Sequence, residues 1–305
     1  MDTFDKPMGG TELMYHELMR RLPQHYKDRF SIFNYIGGAD FTKTTVYWNQ
    51  LSYDQQAVQW LSDPKNVEMI DQFVFVSYWQ AEQYRKLFGI PGYKTKVVQN
   101  ACLPIDRRTT GKREKIKLCY TSTPFRGLDV LLEAWDRLNP EDCELHVFSS
   151  CKIYGPDFAH TEEPKYTDLY NRCLNTKGIV YRGSIPNEEL RKELPTFDIL
   201  AYPNTFEETS CIAVIEALSA GLRVLTSSLG ALPETTEGWA VLYPYLMDKD
   251  RHVDVFASLL KKEIEAVKQG LDLSLQADVY GSRWSWDNRI NQWINYLDTL
   301  TPKQP

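Results

Sequence analysis

The sequence predicts an α/β chain made of two parallel-sheet domains that face each other across a cleft, the first smaller than the second. Three observations lead there. Apolar runs of strand length alternate with amphipathic stretches of helical length through most of the 305 residues, the pattern of strands buried on both faces and joined by crossover helices. The segment Leu103–Arg113 is rich in Pro, Gly and charge and poor in apolar residues, which places a domain boundary within it. The stretch Trp284–Leu300 carries apolar residues at 286, 290, 293, 294, 297 and 300, a helical stripe. The domains so drawn run over 1–105 and 106–283, with 284–305 as a terminal helix.

In the first domain, Gly10–Leu22 reads as a helix, with Leu13, His16, Glu17 and Arg20 at helical spacing. Phe30–Ile36, Thr44–Trp48, Gln72–Val76 and Thr95–Val98 read as strands. Ser77 is a suitable N-cap for a helix over Tyr78–Phe88, and Gly89 a suitable stop. Past the boundary the alternation is denser. Strands are expected at Ile116–Tyr120, Glu144–Phe148, Ile179–Tyr181, Asp198–Tyr202 and Arg223–Thr226. Between them lie helices at Leu128–Leu138, Tyr166–Leu174, Asn187–Leu194 and Ile212–Ala220, the last closed by Gly221. Right-handed crossovers should join them. Ligands of such sheets bind beyond the carboxyl ends of the strands, so the cleft is the expected site.

Composition narrows the class of function. Hydrophobic residues make up 43% and charged residues 25% of the chain, as in ordinary folded domains rather than disordered ones. No apolar run is long enough for a membrane span. The opening residues have neither a basic nor an apolar signal-like stretch. That leaves a cytoplasmic location expected, with peripheral membrane contact still open. Acidic residues outnumber basic ones, 41 to 35, for a net charge of −6, which disfavours nucleic acid as a partner. The six cysteines form no C-x-x-C pair and read as buried, reduced thiols. Asp248-Lys249-Asp250 has the spacing of a metal-binding acidic pair, but it lies in a charged run and reads as a solvated turn. No metal site is expected. His16 reads as a surface or partly buried residue, with a base facing the cleft as the functional alternative, and His146 reads as core. The aromatic group Tyr47, Trp48, Tyr53, Trp60, Tyr78 and Trp79 reads as packing, with a stacking platform for an acceptor as the functional alternative.

The stretch that carries chemistry is Tyr202–Gly221. It starts at a strand's carboxyl end and turns into a helix that Thr209 or Ser210 could cap. The first helical N–H groups have no backbone acceptor and favour an anion such as a diphosphate. Glu208 and Glu216 flank the turn, and a carboxylate can accept from two vicinal hydroxyls. Glu216 sits between Ile215 and Ala217 in an almost wholly apolar helix, where an idle acid is costly. A diphosphate held between two sets of hydroxyls describes a nucleotide sugar.

This stretch resembles the E-x7-E signature of the retaining glycosyltransferases of family 4, which have the GT-B fold of two Rossmann-like domains. The resemblance extends to Gly230-Ala231-Leu232-Pro233-Glu234, Gly127–Trp135, Asn100 and the glycine loop Gly9-Gly10-Thr11-Glu12. It implies that Glu216 binds ribose hydroxyls, Glu208 the donor sugar, and the backbone near Thr209, Ser210 and Cys211 the sugar and diphosphate. It further implies that Arg126 neutralises the diphosphate, that Gly9 and Gly10 let backbone approach the phosphates, and that Arg182, Gly183 and Ser184 lie near the base. The terminal helix would cross back to the first domain.

The sequence departs from the family pattern in three places. Tyr120 and Thr121 stand where an arginine is usual. Asn49 or Gln50 stands where a histidine is usual. The strand that normally precedes the glycine loop is missing, so the first domain is expected to be minimal or truncated. The expected activity is transfer of a sugar, with retention, from a nucleotide sugar such as a UDP- or GDP-sugar to a hydroxyl of a glycan or other acceptor. No other cofactor is expected. A nucleotide-sugar-binding protein without turnover and a DNA-base glycosyltransferase remain alternatives.

Overall fold

The computed structural model describes residues 9–108, 114–270 and 272–303. The proposed missing strand before the glycine loop falls on residues 1–8, outside the described residues, as do residues 109–113 of the expected boundary segment. Two fully parallel sheets organise the chain. The first holds β1 (Phe30–Phe33), β2 (Thr44–Asn49), β3 (Gln72–Phe75) and β4 (Thr95–Val97) in sequential order. The second holds β5 (Ile116–Tyr120), β6 (Cys143–Val147), β7 (Ile179–Tyr181), β8 (Ile199–Tyr202), β9 (Arg223–Ser227) and β10 (Val241–Tyr243), in the spatial order β10-β9-β8-β5-β6-β7.

The first sheet is covered on both faces, and the alternation of side chains shows it. In β2, Val46 and Trp48 join one apolar cluster while Tyr47 joins the other. In β3, Val74 goes with the first cluster, and Phe73 and Phe75 with the second. Successive side chains of a strand point to opposite faces. The helix Gly10–Arg21 covers one face through Met14 and Leu18. The helix Trp286–Asp298 covers the same face, and its Trp293 ring lies edge-on to Trp48 at 5.1 Å. The last helix thus completes the core of the first sheet. The larger core surrounds the second sheet, with Leu131, Leu145, Leu200, Leu225 and Phe256 among its buried members.

Several elements match the sequence reading at their ends. Ser77 accepts a hydrogen bond from the Gln80 amide at the start of the helix Tyr78–Phe88, and Gly89 ends it with φ of 66°, a conformation that glycine adopts without strain. The expected strand Phe30–Ile36 stops at Phe33 instead, because Ile36-Gly37-Gly38 forms a 3-10 turn. The region between β6 and β7 holds more structure than expected. A 3-10 turn at Cys151–Tyr154 and a helix at Pro156–Glu162 precede the helix Thr167–Asn175.

The chain passes between the two sheets twice, after β4 and again at Trp284–Trp286. The two passages touch. The Cys102 amide donates to the Trp284 carbonyl at 2.8 Å, and Cys102 pairs with Ser285 as an isolated parallel bridge.

Candidate active site in the cleft

In the second sheet the chain runs outward from β5 to β7 in one direction and from β8 to β10 in the other. The order therefore reverses between β5 and β8. The loops leaving the carboxyl ends of these two strands, Thr121–Arg126 and Pro203–Cys211, are where a ligand is expected in such a sheet. Two glycines pack against the second of these loops. At Gly127, φ is 104° and a Cβ would lie 2.1 Å from the Pro203 carbonyl oxygen. At Gly230, φ is 63° and a Cβ would lie 2.5 Å from the Glu208 carbonyl oxygen and 2.7 Å from its nitrogen. The Ala231 amide donates to that same Glu208 carbonyl at 2.7 Å. The Gly230–Glu234 loop is therefore a backbone clamp on Glu208.

A cavity of about 580 Å³ opens between the sheets at this point. Glu12, Gln50, Ser52 and Asn100 line it from the first sheet's side, and Arg126, Tyr154, Glu208 and Ser210 from the second. A neighbouring cavity of about 250 Å³ is lined by Gly183, Ser184, Asn187 and Glu216. The two share Gly10, Thr121, Ile212 and Ala213. They meet around the start of the helix Ile212–Ser219, with one acid on either side.

Glu208 is 4% exposed. Its Oε1 accepts from Arg126 Nη1 at 2.8 Å and from the Tyr202 hydroxyl at 2.6 Å. Arg126 Nη2 donates to the Tyr154 hydroxyl at 3.2 Å, and its guanidinium lies 4.5 Å from the centre of the Phe206 ring. Burial opposes the Arg126 charge, but the Glu208 carboxylate more than offsets it, so the guanidinium is held protonated above its usual range. Arg126 and Glu208 are each other's counter-ions. Removing Arg126 would leave the buried Glu208 carboxylate without its counter-ion, the costly half of breaking such a pair.

Glu216 is 3% exposed and accepts one side-chain hydrogen bond, from Asn187 Nδ2 at 2.9 Å. Burial pushes its carboxyl up to about 7, against the pull of Asn187 and Arg191. An acid in this state beside a cavity is short of partners.

Other expected site residues are placed as follows. Neither Thr209 nor Ser210 caps the helix. The N-cap is Cys211, which makes no capping hydrogen bond. The Thr209 hydroxyl is drawn across the cleft, donating to the Gln50 carbonyl at 2.9 Å, and the Ser210 hydroxyl has no protein partner. Gly9 and Gly10 meet protein from the facing domain. A Cβ on Gly10 would lie 2.9 Å from Ile212 Cδ1, and one on Gly9 would lie 3.0 Å from the Tyr154 ring. Gly183 and Ser184 line the smaller cavity. The Arg182 guanidinium instead pairs with Glu193 at 2.5 Å and packs over the Phe148 ring.

The aromatic platform is not formed by the residues considered for it. Tyr47 and Trp48 are buried on opposite faces of their sheet, and Tyr78 is exposed. None of the six lines either cavity. The aromatic wall comes from Phe125, Tyr154, Phe158 and Phe206. Tyr154 was the least legible of these, although Ser150 as an N-cap and Gly155-Pro156 as a helix start marked the segment that carries it. Asp248 caps the helix Lys249–Lys268, while Lys249 pairs with Asp129 and Glu133, and Asp250 with Arg137. His16 is exposed, and His146 is buried against Phe197. All six cysteines are buried and unpaired. No helix among the described residues is long and apolar enough to cross a membrane.

The two parallel sheets, the reversal point and the cleft agree with what comparison finds. The fold is GT-B. Anabaena HepE, solved with UDP and glucose, superposes with a TM-score of 0.67 over 97% of this chain and 85% of its own, at 12% identity. Sucrose-phosphate synthase from Thermosynechococcus elongatus gives 0.63 over 84% and 68%, at 15% identity. Residues 116–262 match the family model of the group 1 glycosyl transferases. In sequence the chain is similar to an uncharacterized glycosyltransferase of Methanocaldococcus jannaschii, 23% identical over 73% of this chain. It is also similar to the MMP alpha-(1->4)-mannosyltransferase of Mycolicibacterium hassiacum, 31% identical over 39% of this chain. It spans 59% and 27% of the lengths of these two relatives.

Proposed function

We propose that the chain is a retaining glycosyltransferase that moves a sugar from a nucleotide sugar, such as a UDP- or GDP-sugar, to a hydroxyl of a glycan. The observation that carries this reading is the placement of the two acids. Glu208 and Glu216 are both buried, and each lines one of two joined cavities that meet at an uncapped helix N-terminus. The smaller cavity suits a nucleoside, with Glu216 accepting from ribose hydroxyls. The start of Ile212–Ser219 and Arg126 suit the diphosphate. Glu208 suits hydroxyls of the sugar.

In the reaction so assigned, a bond forms between the acceptor oxygen and the anomeric carbon while the bond to the β-phosphate oxygen breaks. The bonding pair leaves with the nucleoside diphosphate. Attack comes from the leaving-group face, and the acceptor's proton passes to the departing phosphate. The helix dipole and Arg126 stabilise the charge that builds there. This route asks for no metal and no enzyme nucleophile. The buried, unpaired thiols are in keeping with a reducing, cytoplasmic setting.

The first test is thermal stability with UDP, GDP and ADP. One of them should raise the melting temperature, and Glu216→Ala should abolish the rise. No shift with any of the three would sink the reading. Donor hydrolysis and transfer, with the product anomer read by NMR, then test turnover and retention. Binding without either would favour a nucleotide-sugar-binding protein.

A further inference from the structure

We propose that Asn187 and Arg191 are positioning residues for the donor: Arg191 fixes the Asn187 side-chain amide so that it donates to Glu216, and the pair thereby sets how strongly the site prefers a ribose carrying both hydroxyls. This rests on the donor reading above and adds to it the parts that hold Glu216 in place.

The three side chains stand in line. Arg191 Nε donates to Asn187 Oδ1 at 3.0 Å, and Asn187 Nδ2 donates to Glu216 Oε1 at 2.9 Å. Asn187 and Glu216 line the smaller cavity, whereas Arg191 lines neither cavity. Arg191 therefore reaches a ligand there only through Asn187. Its position is set by the helix Asn187–Glu193, which places Asn187 and Arg191 one turn apart on the same face. Two acids of that helix pair with other bases, Glu188 with Lys192 and Glu193 with Arg182. The hydrogen bonds of Arg191 go instead to the Asn187 amide and, from Nη1 at 3.1 Å, to the Pro104 carbonyl.

The chemistry of the groups gives the line a direction. A guanidinium has donors and no acceptor. The Asn187 oxygen must face it, so the Asn187 nitrogen must face Glu216. A donor aimed at the carboxylate favours its ionised form, the form that accepts from ribose hydroxyls. Turned the other way, the same amide would set an oxygen against the carboxylate and repel it. Pro104 belongs to the first passage between the sheets, and that passage also holds the far end of the Glu216 helix. The Arg108 amide donates to the Ala220 carbonyl at 2.7 Å, and Cys102 Sγ lies 3.3 Å from Ser219 Oγ. The helices that carry Arg191 and Glu216 are thus braced against one segment, which fixes the spacing that Asn187 has to bridge.

The test is calorimetric titration with UDP, GDP or ADP, whichever raises the melting temperature, and with its 2′,3′-dideoxy form. The unaltered chain should bind the ribonucleotide at least about tenfold more tightly, as hydrogen bonds to a charged group imply. Arg191→Met should cut that preference to about threefold or less and leave affinity for the dideoxy form within about twofold, since only the ribose contact is disturbed. Asn187→Ala should do the same. The double variant should lose no more than Asn187→Ala alone, because the two residues act in series. A bracing role alone would lower the melting temperature and leave the preference intact, a result that would overturn the inference. Additive losses in the double variant would overturn it too, as would equal binding of the two forms by the unaltered chain. In each of these cases nucleotide still binds and the donor site stands. Binding of none of the three nucleotides by the unaltered chain would instead end the donor reading, and the inference with it. Should Arg191→Met fail to fold, Arg191→Lys takes its place, since a lysine ammonium lacks the rigid fork that holds Asn187 and Pro104 together.

Discussion

Glu216 is an acid almost wholly withdrawn from solvent, and its protonation should be measurable in two ways. Its carboxyl titrates near 7 in the fold against an ordinary 4.5. Between those values the folded chain holds a proton that the unfolded chain has lost. Stability must therefore fall as pH rises through that window, by at most about 3 kcal/mol from this group. Glu216→Gln should remove the slope, so the variant should melt above the unaltered protein at pH 8 and close to it at pH 4.5. Ribose hydroxyls donating to an ionised Glu216 would reverse the sign for binding. Calorimetric affinity for the nucleoside diphosphate should then rise about tenfold from pH 6 to 8, and the rise should flatten in Glu216→Gln. Glu216 was conspicuous in the sequence because a charged residue inside an apolar helix is, whereas Glu208 was singled out by its place beside the turn and by the resemblance of the stretch around it. Asn187 and Tyr154, which steady Glu216 and Arg126, were not. Each is tens of residues distant in sequence, and neither type is unusual where it stands.

The short loop between β9 and the helix Leu232–Thr236 does more than join them. Gly230 lies against the backbone of Glu208 with no room for a side chain, and backbone cannot rotate aside as a side chain would. Gly230→Ala combines a positive φ with this clash. It should cost about 1–3 kcal/mol in urea unfolding and displace Glu208. The outcome to check is a fall in kcat larger than the change in nucleotide affinity, since Glu216 lies on a different element. The strands themselves were legible because parallel strands buried on both faces are continuous apolar runs. In the second sheet β5 and β7 fall on their expected residues, and β6, β8 and β9 lie within one residue of theirs. The excursion over Cys151–Tyr166 was less legible, because short 3-10 turns and a one- to two-turn helix leave little periodicity to detect.

The facing halves of the molecule are fastened at several points across the cleft. The Glu234 carboxylate accepts from the Tyr78 amide at 2.9 Å and the Trp79 amide at 3.2 Å, the first two residues of a helix in the other half. Tyr53 donates to Glu207 at 2.7 Å. A carboxylate at a helix N-terminus contributes about 0.3–1 kcal/mol. Glu234→Gln should therefore leave the melting temperature within a few degrees of the unaltered protein. Small-angle scattering should show a larger radius of gyration without ligand, and the donor KM should rise more than kcat falls. The cleft itself could be anticipated from the order of elements, whereas these fastenings join residues more than 150 positions apart and left no local trace. The paired passages at Cys102 and Ser285 decide what kind of opening such a release permits. Two passages that run side by side and bond to each other at one place put the pin of the door beside Cys102 and Ser285, far from the groove's outer lips. One pair of fluorescent labels, set on either lip of the groove, would then report the swing.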